Sequence, residues 1–361
     1  MVKRIKKRED KSLKKQLDKD VFKEDSEHVI FLKKKSLDAS VREGCGAATM
    51  VGAGQSFIIP YALAFNATNF QIGIFSSLIG LIGPLVQLKG SRLVEFYSRK
   101  KILMFAIFLQ ALMWIPIILL SLIFFFGIWV SYIPFLLMLF YAIHLGFGAV
   151  AIPAWFSWMG DLVPDKLRGD YFGKRNRIVG FLTISSMLIA GFILDFFRTR
   201  GFVLIGFSIV FSIAMIARFY SVFVFKEHYE PKLELKKGYY FSLWDFTKRG
   251  FKDNFGKFIL FGFLFYVAVS ISSPFYAVYM INELEFSYFW FTLITVSQSF
   301  FSILFLPFWG KFSDKYGNRI TIILAGVFLP IVPFLWLVSA SKLYLLIIPT
   351  FVGGVFWWGC S

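Results

Sequence analysis

The chain has 361 residues, 57% of them hydrophobic and 20% aromatic, with 39 Lys and Arg against 22 Asp and Glu and a formal net charge of +17. A soluble domain rarely carries so much apolar material, and here the charges are gathered into blocks instead of being spread over a surface. The two cysteines, Cys45 and Cys360, fall in apolar runs, which excludes a secreted disulfide framework.

Residues 1–43 mix 14 basic with nine acidic residues and begin "MVKRIKKREDKSLKKQ". This lead is too long and too charged for a cleaved signal peptide. It reads as a solvated cytoplasmic tail, with lipid or partner binding as the alternative. From Gly44 to Leu88 no Asp, Glu, Lys or Arg occurs. The same holds for Ile102–Gly160, Phe258–Asn282, Phe286–Gly310, Ile320–Ser341 and Leu343–Ser361. A membrane-spanning helix needs roughly 20 apolar residues, and lipid accepts only helices or closed barrels. Barrel strands would alternate in polarity, and these runs do not. The chain reads as an all-α polytopic membrane protein.

Ten spans are predicted, at 44–65, 69–88, 102–125, 131–157, 178–196, 201–224, 257–281, 287–308, 319–340 and 343–361. Of the 39 basic residues, 35 fall on one side of this arrangement. Only Arg198, Arg200 and Lys342 fall on the other, and Arg218 lies inside the sixth span. Basic loops stay cytoplasmic, so the N-terminus is expected inside. That bias accounts for the net charge without a nucleic-acid partner, and the loops suit anionic headgroups. Residues 226–256 read as a connector between a first bundle, 44–225, and a second, 257–361.

Two loops share a layout 219 positions apart: "SRLVEFYSRKK" (Ser91 to Lys101) and "GKFSDKYGNR" (Gly310 to Arg319). The same shift maps Glu95 onto Asp314, Lys100 onto Arg319, and Thr68 onto Ser287 at the start of spans 2 and 8. Internal repeats of this kind build many secondary transporters.

With these loops, the span count and the central connector, the chain resembles the major facilitator superfamily, whose signature loop reads roughly G-x-L-a-D-r-x-G-r-k. Gly310, Asp314, Lys315, Gly317 and Arg319 match it. The first copy is degenerate, with Ser91, Glu95 and Ser98 replacing Gly, Asp and Gly, while Arg99 and Lys100 match. "GDLVPDKLRGDYFGKRNR" (Gly160 to Arg177) and "SSPFYAVYM" (Ser272 to Met280) resemble a prokaryotic branch of that superfamily.

The resemblance implies a monomeric secondary transporter of the plasma membrane. It would move a small solute by alternating access, coupled to an ion or proton gradient or as a uniporter, with no cofactor. It also implies that Asp314 latches the cytoplasmic side in the outward-facing state by meeting the start of helix 5, near Lys174, Arg175 and Arg177. Glu95 would meet an eleventh helix. Twelve helices are the family pattern, so the chain is expected to be C-terminally truncated. A non-transporting receptor or scaffold, or an inactive fragment, is the alternative.

By the same resemblance, spans 1, 4, 7 and 10 line a central cavity. Polar side chains deep in such helices are costly and suggest function. Gln55, Tyr141, His144, Ser270, Ser273, Tyr276 and Gln298 are therefore the cavity candidates. Pro60 and Pro274 are expected to kink their helices. No acidic residue is expected in the central membrane zone, which leaves His144 as substrate ligand or proton carrier. Arg218 is expected to snorkel to the interface. An enzyme would need a metal cluster or a nucleophile with its base. The three histidines, His28, His144 and His228, are dispersed, and neither a metal site nor a phosphate loop is expected.

Overall fold

Lipid offers no hydrogen-bonding partner, so a chain of this composition must pair its backbone groups within helices. The computed structural model describes residues 26–231 and 254–357, and among them helices are joined by short turns, with no strand. The helices are α1 (Glu27–Ala64), α2 (Asn69–Phe96), α3 (Arg99–Phe125), α4 (Val130–Leu162), α5 (Asp165–Arg198) and α6 (Val203–Phe225). Then come α7 (Asn254–Ser272), α8 (Tyr288–Tyr316), α9 (Asn318–Val338) and α10 (Lys342–Trp357). A short helix, Phe275–Val278, and a π turn, Tyr279–Glu283, lead from α7 towards α8. Eight of these helices are long and apolar enough to cross a membrane, and the apolar parts of α7 and α10 are shorter.

Each predicted span overlaps one of these helices, but the seventh runs on past α7 through the short helix and the π turn, residues 358–361 of the tenth lie outside the described ones, and several helices overrun their spans at the end that carries the basic loops. The largest difference is α1. It starts at Glu27, where Ser26 caps it by accepting from the Val29 N–H, and not near residue 44. Absence of charge marks only the lipid-facing length of a helix. The earlier turns of α1 carry charges on one side while Ser36, Ala39, Ser40 and Glu43 are buried on the other. Much of the expected 1–43 tail is therefore helix. Residues 1–25 and most of the expected connector lie outside the described residues.

The repeat seen in sequence recurs as local structure. Thr68 caps α2 in a full capping box with Gln71, and Ser287 caps α8 by accepting from the Trp290 N–H. The loop after α8 turns on Gly317, whose φ of +83° disfavours any side chain. In the degenerate first copy, Ser98 has an ordinary φ of −62° and caps α3 with its hydroxyl. A serine cap there does the work that a glycine does in the second copy.

Helices α1–α6 form a first half in which α1 packs on α5 and α6, and α2 and α3 pack on α4. In the second half, α8 packs on α9 and α10. Tyr61 is the centre of an aromatic cluster in the first half, edge-on to Phe211 and beside Phe65 and Phe207. Its hydroxyl donates to the Ile117 carbonyl at 2.9 Å and lies 2.7 Å from Ser121 Oγ.

At the end with the basic loops, residues 226–231 strap the first half together. Arg99 is buried, with its guanidinium 2.5 Å from Asp161 and donating to the Ser157 and Pro231 carbonyls. Its backbone N–H donates to Glu230 at 2.7 Å. Lys100 donates to the carbonyls of Lys226 and His228, and Arg42 forks onto Glu227. Arg99 and Lys100 therefore bind within their own half and not across a gate.

His228 sits in this strap, 4% exposed, against Trp158 and Phe225. Burial pushes its pKa down to about 4. Its stabilising contribution is complete above the unfolded value near 6.5 and is lost as pH falls from there towards 4. Stability against thermal unfolding is therefore expected to fall by on the order of 1 kcal/mol for each pH unit between about 6 and 4. Replacing His228 by Gln should remove that part of the slope, which a pH series of melting curves would read.

Candidate functional site

Breaks in the helices shape the space between the halves. Pro60 has no N–H to donate, and just before it α1 loosens into a π turn (Met50–Gly54) and a 3-10 turn (Gln55–Phe57). Pro274 stands between the end of α7 and the helix Phe275–Val278. Both prolines line a cavity of about 320 Å³ between the two halves, with Ser56, Ser76 and Trp336. A second cavity, about 780 Å³, lies among α7, α8, α9 and α10.

Ser273, Tyr276, Thr295 and Gln298 line both cavities, which makes them the seam between the two spaces. Tyr276 stacks on Trp336 with ring centroids 4.7 Å apart and planes at 17°. Among the described residues, no Asp, Glu, Lys or Arg lines either cavity. Among the described residues, the side-chain amide of Gln298 has no hydrogen-bond partner, so its donors and acceptor are open to a ligand. Ser273, Tyr276 and Gln298 thus line the same two cavities, while the side chain of Ser270 lies outside the described ones.

Gln55, Tyr141 and His144 line neither cavity. His144 is fully buried, its Nδ1 2.9 Å from the Gln110 carbonyl and its Nε2 3.2 Å from the amide nitrogen of Gln55. A carbonyl only accepts, so Nδ1 carries the hydrogen and Nε2 accepts from Gln55. Tyr141 stacks on the imidazole and Trp114 meets it edge-on. In this conformation the histidine is a satisfied neutral group that ties α1, α3 and α4 together. Expecting it on a cavity wall placed it on the wrong side of α4.

One further expectation is corrected. Arg218 does not snorkel to the interface: it is 8% exposed and donates through Nε to Gln110 Oε1 on α3 at 2.8 Å. A buried acid outside the central membrane zone was also missed: Glu43 on α1 is 3% exposed and pairs with Arg175 at 2.9 Å. Glu43 escaped notice because the charge-free run begins one residue after it.

The halves meet at the end away from the basic loops. There the Asp195 carboxylate, at the end of α5, accepts from the backbone N–H groups of Tyr288 (2.7 Å) and Phe289 (3.0 Å). These are the first residues of α8, whose opening N–H groups have no partner within the helix. A carboxylate is also favoured there by the helix dipole. Arg198 donates to the Phe286 carbonyl at 2.7 Å and covers the Tyr288 ring. Gly191 lets the helices close, because a Cβ there would lie 2.5 Å from Thr292 Oγ1. Among the described residues, every hydrogen bond between the halves is at this end.

At the basic end, among the described residues, no hydrogen bond or ion pair joins the halves. Asp314, Lys315 and Arg319 are exposed, and so are Gly310 and Gly317. Among the described residues Asp314 has no ion-pair partner. Its expected partners are engaged elsewhere or exposed: Lys174 pairs with Asp170 at 2.7 Å, Arg175 with Glu43, and Arg177 is exposed. The latch expected from sequence is therefore not made in this conformation. Glu95 is likewise exposed.

The family model of the Major Facilitator Superfamily matches residues 44–254, and that of the MFS_1 like family matches residues 257–361. No curated protein matches the chain.

Replacing Asp195 by Asn removes the charge that caps α8 and is expected to cost the closed end about 1 kcal/mol. In a cysteine-free background carrying Thr295→Cys, a membrane-impermeant maleimide applied from the closed face should label slowly. Adding Asp195→Asn should accelerate that labelling about fivefold to tenfold. Unchanged labelling would mean that the cap does not hold the end shut.

Proposed function

The chain belongs to the major facilitator superfamily, a family of membrane transporters, and we propose that it is a secondary active transporter of a small uncharged solute. The observation that carries this reading is the uncharged space between the halves, closed at one end by Asp195 and Arg198 and flanked by Tyr276, Trp336 and the unpaired amide of Gln298. An ionic solute would need a counter-charge in a medium where charges are costly, and neither cavity at the seam offers one. The stacked Tyr276 and Trp336 suit a ring-bearing solute with hydroxyl or amide groups, such as a sugar or a nucleoside.

The basic loops support a cytoplasmic N-terminus. With that orientation the conformation is inward-facing, and the transporter sits in the plasma membrane with its connector in the cytoplasm. Alternation then exchanges one helix-end contact for another. In the inward-facing state Asp195 of α5 holds the start of α8. In the outward-facing state Asp314, at the far end of α8, docks on the basic residues Lys174, Arg175 and Arg177 of α5. The first contact brings an acid to a helix N-terminus and the second brings one to a basic cluster, and each must break for the other to form. Transport by one chain, without a partner subunit, is part of this proposal.

Uptake of labelled sugars, nucleosides and charged metabolites into proteoliposomes holding the full-length protein tests it. Accumulation of at least one uncharged ring-bearing solute is expected. Gln298→Ala should lower kcat/KM about tenfold, as for loss of a hydrogen bond made in a dry site. Uptake of charged solutes alone, or full activity in Gln298→Ala, would overturn it.

A further inference from the structure

Within the first half, α1, α3, α4, α5 and α6 surround a separate cavity of about 220 Å³. Its charged lining is Glu43, Arg175 and Arg218: two guanidiniums and one carboxylate. Arg175 is well used. It pairs with Glu43 Oε1, donates through Nε to the Ser40 carbonyl and Oγ at 3.2 Å each, and lies 4.6 Å over the Trp155 ring. Glu43 Oε1 also accepts from Trp155 Nε1 at 3.0 Å.

Arg218 is not well used. A guanidinium carries five N–H donors, and among the described residues only Nε–H of Arg218 has an acceptor, Gln110 Oε1 at 2.8 Å. The side chain is nevertheless buried. Its Nη groups are not among the buried polar atoms left without a partner; they open onto the cavity, where four donors are free for a ligand. Across the same cavity Glu43 Oε2 also lacks a partner among the described residues. The space thus carries one excess positive charge, a free planar fork and one free acceptor.

We propose that this cavity binds a small carboxylate carrying a hydroxyl group next to its carboxyl. The two carboxylate oxygens take the Nη fork of Arg218, a geometry that guanidinium and carboxylate share. The neighbouring hydroxyl donates to Glu43 Oε2. A monoanion brings the three-residue cluster to neutrality, whereas a dianion meets Glu43 and a simple cation meets two guanidiniums. Entry is through an adjoining hollow of about 490 Å³ that shares Trp155, Phe156 and Arg175 and reaches Arg168 and Asn176 near the basic loops. The site is distinct from the seam at Gln298 and does not depend on which solute that seam carries.

The test is the thermal midpoint of the full-length protein in detergent while sodium lactate replaces sodium chloride at constant ionic strength. A saturable rise is expected in the wild type. Its half-saturation should move up about tenfold or more in Arg218→Gln, which loses the charged fork, and should stay put in Arg92→Gln, an exposed basic control. Where Arg218→Gln fails to fold, Arg218→Lys keeps the charge without the fork and is also expected to weaken binding. No saturable rise in the wild type, or the same half-saturation in the Arg218 variants, would overturn the proposal.

Discussion

Two backbone N–H groups at the start of α8 have no partner within their helix, and the carboxylate of Asp195 takes both. In water such a contact would compete with solvent on nearly equal terms. Between packed helices it does not, because an unsatisfied donor there has nowhere else to turn. The closing of one end follows from it: Arg198 reaches the Phe286 carbonyl, Gly191 admits Thr292, and Phe57 meets Phe291 edge-on. The uncharged space between the halves lies behind that closure.

The same accounting governs the interior of the first half. Lipid tails are as apolar as leucine, so the hydrophobic effect gives helices little reason to choose one another within the membrane. Polar groups and close packing make the choice instead. His144 joins Gln55 to the Gln110 carbonyl, Gln110 meets Arg218, and Glu43 holds Arg175 and Trp155. These contacts tie α1 to α3, α4, α5 and α6 as one body. The second half has fewer such ties among its described residues, chiefly Ser297, Ser302 and Trp309 bonding carbonyls of α10.

Much of this was legible in sequence because the bilayer sets a coarse rule: roughly 20 apolar residues make a span. The helices, the turn at Gly317 and the paired caps at Thr68 and Ser287 follow from that rule and from local chemistry. The rule fails where a helix leaves lipid, which is why the start of α1 at Glu27 and the burial of Glu43 were missed. It is also silent on which way a side chain faces. His144 and Tyr141 lie on one face of α4, but that face meets Trp114 and Gln110 and not the space between the halves. Asp195 could be read only as an acid near a helix end, since its partners are backbone groups that no sequence pattern marks. Ser273, Tyr276 and Gln298 were singled out because a polar residue deep in lipid is costly wherever it faces, and all three line the cavities at the seam.

The most direct measurement is a pair of spin-label distances in the same full-length protein in lipid nanodiscs. One pair spans the closed end, at positions 199 and 285. The other spans the basic end, at positions 173 and 315. Alternation between the Asp195 contact and an Asp314 contact requires the two distances to change in opposite senses, with the first pair short whenever the second is long. Asp195→Asn should raise the population in which the first is long and the second short. Distances that lengthen together, or a basic-end pair that never shortens, would contradict an exchange of helix-end contacts.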